Sequence, residues 1–322
     1  MRTLKINLLY NCTAKCSHCR FNCENKSEVI TPDFETPYNV AKKLKDNFGL
    51  DMAVVLGGEP TIFKKETTEL LKKLKTLEIA TRLETNASWA NSFDDAINFL
   101  TPLKGIDNVM LSLDGFHNPF IPIQKVAHAI NACNTLGINY NLEMPYLDIV
   151  KKDNDIDRKT DELFDLLSSS FGIKIPKYEG GIVFVGRAAD IYGDKFAVGK
   201  GIPDDLCTAV PWWSDSNINS TNLIILEPGG YITKGCGIAI GNVYKQDIIE
   251  MLNNYNAYDH PIFSILLKEG PIGLARLAER YGYKIKDDYA DKCQLCYEAR
   301  QILKPYYDNI LKPDQHYIRE KK

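Results

Sequence analysis

Over roughly its first 187 residues this chain repeats one unit, a short β-rich apolar run followed by an amphipathic helical stretch. That alternation predicts a parallel α/β sheet, because neighbouring parallel strands need a helix-length crossover between them. Candidate strands are Leu4–Leu9, Met52–Leu56, Ala80–Glu84, Asn108–Leu113, Asn139–Met144 and Gly181–Gly186. Candidate helices are Asn39–Phe48, Lys65–Leu77, Asp94–Leu103, Ile123–Leu136 and Asp161–Phe171. About six units suit a partial (β/α)6 TIM-like barrel rather than a closed barrel of eight. Distinctive residues gather just past the strand ends, at Asn11–Cys19, Gly57–Pro60, Thr85–Asn86 and Asp114–His117. The C-terminal ends of parallel strands are where such folds carry their sites.

From about residue 188 the rhythm changes. Gly-rich turns lead to a hairpin, Asn222–Glu227 and Tyr231–Lys234 around Pro228-Gly229-Gly230, then to helical segments near Gln246–Asn254 and Gly273–Tyr281. The reading is a barrel over 1–187 and a smaller appended region over 188–322, whereas the polar stretch Lys151–Lys159 is a solvated loop and helix start. With 44% hydrophobic and 25% charged residues the chain is neither collagenous nor disordered. No run approaches the roughly 18 apolar residues of a membrane span, and the start lacks an export signal, so the expected address is cytoplasmic. The 39 basic and 42 acidic side chains leave a formal charge of −3. Without a basic stripe beyond Arg319-Glu320-Lys321-Lys322, no nucleic-acid partner is expected.

Nine cysteines, an odd number in a chain of this kind, argue for metal ligation or catalysis rather than a disulfide framework. Cys12, Cys16 and Cys19 lie within eight residues directly after the first strand, and thiolate sulfur selects zinc or an iron–sulfur cluster. His18 or Cys23 would complete a zinc site. A ferredoxin loop runs C-x2-C-x2-C, whereas the first gap here is three and no proline follows Cys23. Cys207, Cys236 and the pair Cys293-x2-Cys296 make four thiols, enough for one [4Fe–4S] cluster or one zinc; alternatively Cys207 and Cys236 are buried hydrophobes. Cys133 sits on an apolar-periodic helix and reads as core. Cys23 is a structural thiol, a hydrogen donor or an occasional fourth ligand. His117 is a proton donor or acceptor, or a loop anchor. Trp212-Trp213 wall a cleft or pack on the second cysteine group.

The spacing Cys12-x3-Cys16-x2-Cys19 with His18 before the last cysteine resembles the signature of the radical S-adenosylmethionine (SAM) superfamily. Gly57-Gly58-Glu59-Pro60 after the second strand resembles that family's binding loop for the methionine amino group. Thr85-Asn86 after the third strand and Ser112-Leu113-Asp114-Gly115 after the fourth match SAM-lining positions, with Asn141 on the fifth a weaker match. The resemblance implies a [4Fe–4S] cluster held by Cys12, Cys16 and Cys19, with the fourth iron free for SAM. It also implies SAM contacts from His18, Gly57, Gly58, Glu59, Asn86, Ser112, Asp114 and Asn141. The chemistry implied is reductive cleavage of SAM to a 5′-deoxyadenosyl radical that abstracts hydrogen, supplied with electrons by a donor such as flavodoxin or ferredoxin.

The later region resembles the auxiliary-cluster extensions called SPASM and twitch domains, which implies one auxiliary [4Fe–4S] cluster on Cys207, Cys236, Cys293 and Cys296. The overall likeness is to radical SAM peptide epimerases, through Cys19-Arg-Phe-Asn-Cys23, Asp114–Phe120, Lys268-Glu269-Gly270 and the final Cys293-x2-Cys296. Those enzymes carry adjacent cysteines at the hairpin end, one ligating and one returning hydrogen. Here Gly235 precedes a single Cys236. A peptide substrate is therefore expected, with Cys23, Cys236 and His117 as candidate catalytic groups. Other readings are oxidation or cross-linking of a peptide or small metabolite, nucleic-acid modification, and a non-enzymatic iron–sulfur carrier.

Overall fold

The computed structural model describes residues 1–25, 31–172, 174–209 and 217–319. Six strands, β1 (Thr3–Asn7), β2 (Met52–Leu56), β3 (Ala80–Thr85), β4 (Asn108–Ser112), β5 (Tyr140–Tyr146) and β6 (Lys177–Gly181), are all parallel and neighbour one another in sequence order. Between them run α1 (Glu35–Phe48), α2 (Lys64–Lys75), α3 (Phe93–Leu100), α4 (Ile123–Leu136) and α5 (Asp155–Phe171). This is the partial TIM-like barrel that the alternation predicts. Side chains alternate across each strand. In β1, Leu4 and Ile6 enter the main core beneath the helices, while Lys5 lines the inner face.

The sixth strand corrects the sequence reading. It forms over Lys177–Gly181, not Gly181–Gly186, and all five of its residues are exposed. As an edge strand it gains little by being apolar, so its sequence carries no hydrophobic run. The apolar run that does exist, Ile182–Val185, instead crosses the barrel mouth, with Phe184 and Val185 buried against the cysteine-bearing loop. Helix α5 begins six residues before the expected Asp161, where the Asn154 side chain caps the Asp157 N–H at 3.0 Å.

Past the barrel, the short α6 (Asp194–Ala197) leads to β7 (Leu223–Glu227), β8 (Tyr231–Thr233) and β9 (Ala239–Asn242). Strand β7 pairs in parallel with β1, and β8 and β9 follow antiparallel, so one nine-stranded sheet runs β6-β5-β4-β3-β2-β1-β7-β8-β9. The hairpin expected of an appended region thus adds directly to the barrel's first strand. Helices α7 (Ile248–Asn253), α8 (Phe263–Lys268), α9 (Gly270–Glu279) and α10 (Lys292–Leu303) close the chain, α8 to α10 around a second apolar core. Among the described residues no helix is long and apolar enough to cross a membrane.

Candidate active site

At the C-terminal end of β1 the chain enters a loop whose Cys12, Cys16, Cys19 and Cys23 line one cavity of about 250 Å³. Gly57, Gly58, Asn86, Ser112, His18 and His117 line the same cavity. The loop is pressed against the strand-end residues. The Gly58 N–H donates to the Leu9 carbonyl at 2.6 Å and the Glu59 N–H to the Asn11 carbonyl at 2.9 Å. A Cβ on Gly58 would lie 2.1 Å from the Asn11 carbonyl oxygen, so only glycine fits there.

Two carboxylates expected near SAM are placed behind the cavity wall. Glu59, with no exposed surface, accepts the Thr61 N–H at 3.0 Å, the Thr61 hydroxyl at 2.6 Å, the Thr85 hydroxyl at 2.8 Å and the Asn86 N–H at 2.8 Å. Burial lifts its carboxyl above the ordinary range against the pull of these donors. It therefore ties the β2 loop to the β3 loop, and Asn86, thus held, donates to the Thr13 hydroxyl at 3.0 Å and reaches to 3.7 Å from Cys12 Sγ. Asp114 accepts the Phe116 and His117 N–H groups at 2.8 Å each and meets His117 Nδ1 at 2.7 Å. Burial opposes ionisation of both partners, but their mutual attraction prevails, holding Asp114 below its usual range and His117 well above.

His18 stacks on Phe116 at 4.5 Å and stands 5.2 Å from the His117 ring. Burial draws it down to about 4, so it is a neutral imidazole at pH 7, and its Nδ1 is buried without a partner among the described residues. Cys16 Sγ and ring nitrogens of His18 and His117 lie within 4.8 Å of one another. Asn141 does not line the cavity; it accepts the Asn108 amide at 2.7 Å, one pleat deeper than Glu143, which does.

Sequence reasoning missed two features. The first is Arg187, 2% exposed, which donates to the Cys16 carbonyl at 2.9 Å and the Cys23 carbonyl at 3.1 Å, while its own N–H donates to the Cys19 carbonyl at 3.0 Å. The second is the charged floor, with Lys5 of β1 at 3.6 Å from Glu84 of β3 and Glu143 of β5 beside them. Burial, and then Glu84, raise the Glu143 carboxyl. A lysine at an inward position between Leu4 and Ile6 was the available signal.

Cys23 differs from its neighbours. Its N–H donates to Cys19 Sγ at 3.3 Å. Its thiol hydrogen bonds to the same sulfur, holding Cys19 below the usual thiol range and Cys23 well above it. Burial raises the Cys12 thiol.

The other four cysteines also meet. Cys207, Cys236, Cys293 and Cys296 line one small cavity of about 30 Å³ with Val185, Ile238, Phe263 and Leu266. They arrive from different elements: Cys207 from the loop before β7, Cys236 from the turn after β8, and Cys293 and Cys296 from the first turns of α10, whose N-cap is Asp291. Gly235, Cys236 and Gly237 have φ of 92°, 61° and 70°, a left-handed run in which Cys236 adopts a conformation that favours glycine. A Cβ on Gly237 would lie 2.6 Å from His316 Cβ. Burial pushes Cys236 up to about 11 and Cys207 up to about 12, and the neighbouring thiols add to the rise. Four crowded thiols in an apolar cavity become thiolates only with a cation among them, and an all-sulfur donor set fits an iron–sulfur cluster or zinc. Among the described residues no three of these sulfurs lie within 4.8 Å of one another. Tetrahedral zinc, with Zn–S about 2.3 Å, would want them nearer than that. Burial also lowers the adjoining Lys234 ammonium to about 7.

Cys133 is fully buried on α4 in the outer core, as expected, and lines neither cavity. Trp212 and Trp213 lie outside the described residues.

Residues 6–158 match the sequence model of the Radical SAM superfamily. YydG of Bacillus subtilis (strain 168), named as a proposed peptide biosynthesis protein, is 26% identical over 192 residues, covering 58% of this chain and 56% of that protein's length. Two solved structures share the fold. One is a histidine-tagged form of anSMEcpe with bound AdoMet, at TM-score 0.53 and 14% identity over 96% of this chain and 98% of that one. The other is native anSMEcpe with bound AdoMet and Kp18Cys peptide, at TM-score 0.52 and 15% identity over 95% and 98%. Over residues 6–158 the barrel of this chain, with the cysteine loop at the end of its first strand, thus matches the Radical SAM superfamily.

Proposed function

We propose that this enzyme modifies a peptide, with Cys12, Cys16 and Cys19 holding a [4Fe–4S] cluster and SAM lying across Gly57, Gly58, Asn86 and Ser112. The observation that carries this is three thiols and four strand-end residues around one 250 Å³ cavity, with room beside the sulfurs for a ligand. Bound SAM and cluster would supply a 5′-deoxyadenosyl radical able to take hydrogen from an unactivated carbon. The chain's own residues frame that chemistry. Arg187 fixes the cysteine loop through the Cys16, Cys19 and Cys23 carbonyls. Glu59 and Asp114 brace the loops that carry Asn86 and His117. Phe116, Ile182 and Val183 help keep water from the mouth. Peptide as the substrate class rests on the likeness to YydG and to a fold found with a peptide bound.

Epimerisation needs a hydrogen atom delivered to the inverted centre, and a thiol is the apt donor. Cys133 lies outside the barrel and Cys236 faces the other cavity, which leaves Cys23 as the spare thiol on the active cavity. Its place on the cavity, with its N–H on Cys19 Sγ, suits that role. A second reading, oxidation or cross-linking, is favoured by the four-cysteine cavity, because inversion is redox-neutral while oxidation must pass electrons to an acceptor such as an auxiliary cluster. Flavodoxin or ferredoxin is the proposed reductant, in a cytoplasmic setting that keeps thiols reduced.

The test is anaerobic reconstitution followed by turnover of candidate peptides in deuterated water. About eight irons, 5′-deoxyadenosine and one deuterium per converted residue are expected for inversion, with Cys23→Ala still forming 5′-deoxyadenosine but releasing no inverted residue. A product lighter by two hydrogens establishes the second reading. No 5′-deoxyadenosine at all would defeat both.

A further inference from the structure

Arg300 is 1% exposed, and a guanidinium stays charged at every accessible pH. A buried charge is tolerated only when paired. Among the described residues no carboxylate lies within 4.0 Å of it. Its Nε donates to Cys296 Sγ at 3.4 Å, and its Nη1 donates to the Cys236 carbonyl and, at 3.2 Å, to the Tyr317 hydroxyl. Tyr317 in turn donates to the Gly237 carbonyl at 2.5 Å, which fixes the guanidinium against the turn that presents Cys236. Two of the four cysteines are thus in direct contact with one buried cation that has no acid of its own.

We propose that Arg300 is the fixed counter-ion of an anionic four-thiolate [4Fe–4S] cluster and sets that cluster's reduction potential. The inference rests on the reading under Proposed function in which the four-cysteine cavity holds an auxiliary cluster, with Cys207, Cys236, Cys293 and Cys296 as its ligands. Adding an electron makes such a cluster more negative, and a permanent positive charge in contact with its ligands lowers the energy of that reduced form. Low polarity around the site strengthens the effect. Arg300 therefore makes the cluster easier to reduce, as an electron acceptor requires. Lys234 and Lys292 also line the cavity, but their ammonium groups donate to the Ser220, Leu223 and Leu206 carbonyls, whereas Arg300 donates to the cysteines themselves, which makes it the position where charge is tested cleanly.

The experiment uses the full chain carrying Cys12→Ala, Cys16→Ala and Cys19→Ala, so that only the second centre holds iron. Its midpoint potential is followed by EPR during redox titration, alone and with Arg300→Gln or Arg300→Lys. The expected result is about four irons in the parent, a clear move to more negative potential in Arg300→Gln, and a potential near the parent's in Arg300→Lys. Iron lost from Arg300→Gln but kept by Arg300→Lys would equally support a counter-ion. An unchanged potential in a fully loaded Arg300→Gln, an equal shift in both variants, or iron lost from both would overturn it. A parent that binds no iron would instead defeat the ligand assignment, a result separable from the behaviour of Arg300.

Discussion

The two cysteine groups of this molecule solve opposite problems. The first is local: Cys12, Cys16 and Cys19 share one loop, leave a 250 Å³ cavity beside them, and are held by the bonds Arg187 donates to the loop and by Asn86, which donates its N–H to Glu59 and its amide to Thr13. The second is assembled from residues 207 to 296, closes on about 30 Å³ of apolar space and carries its own buried cation. An incomplete thiol set with room around it can admit a ligand. A complete set without room can hold a centre and exchange electrons, but it cannot bind substrate.

The largest effect should come from removing thiols. Replacing Cys12, Cys16 and Cys19 together with Ala is expected to abolish SAM cleavage while about four of eight irons remain. Replacing Cys293 and Cys296 is expected to remove the other four and leave SAM binding to the barrel detectable by titration. If either replacement strips all iron, the two groups do not load independently and the contrast between them fails.

Next in size is Arg187→Met. Leaving the Cys16 and Cys23 carbonyls without their buried donor is expected to cost about 2–4 kcal/mol and to make iron at the first centre labile, as read by denaturant midpoint and chelator challenge. The second centre should not respond. Equal loss of iron from both would show that Arg187 supports the whole fold rather than one loop.

Much of this contrast could be read from the sequence because it is carried by spacing. Strand-end clusters report a parallel barrel directly, and the helix Ile123–Leu136 is found where its apolar period places it. What could not be read depends on contacts between distant segments. The edge strand Lys177–Gly181 has no apolar signature, since all five of its residues are exposed. Arg187 looks like any surface arginine until the chain folds 164 residues back onto Cys23. Glu59 is plain in its motif, but that its carboxylate braces Thr85 and Asn86 follows only from three-dimensional neighbours.

Glu59→Gln sharpens the account of the first region. An amide in place of a carboxylate that accepts four hydrogen bonds sets donor against donor, and stability is expected to fall by about 2–3 kcal/mol with weaker SAM binding following from the displaced Asn86 loop. Unchanged stability with weaker SAM binding would put the carboxylate on the ligand instead.

The smallest effect concerns a buried residue that joins the two regions. Glu227, at the end of β7 and 2% exposed, accepts from Asn7 at 2.7 Å and Tyr10 at 2.8 Å on the barrel side, and meets His316 at 3.1 Å and the Thr233 hydroxyl at 3.3 Å on the other. Burial alone would raise its carboxyl, but His316, Tyr10 and Asn7 together hold it below its ordinary value. A depressed carboxyl contributes stability that is fully present above its unfolded pKa of about 4.3 and is lost as pH falls through the lower folded value. Wild-type protein should therefore lose stability over that acid window, and Glu227→Gln, about 1–2 kcal/mol less stable at pH 7, should show a flatter acid limb. Because Glu227 ties Tyr10, two residues before Cys12, to His316 beside the Cys236 turn, its neutralisation is also expected to separate one unfolding transition into two. Acid curves that run parallel in wild type and variant would remove Glu227 as the link, and leave the β1–β7 pairing and contacts such as that of Gln315 with the Phe21 carbonyl to hold the open centre against the closed one.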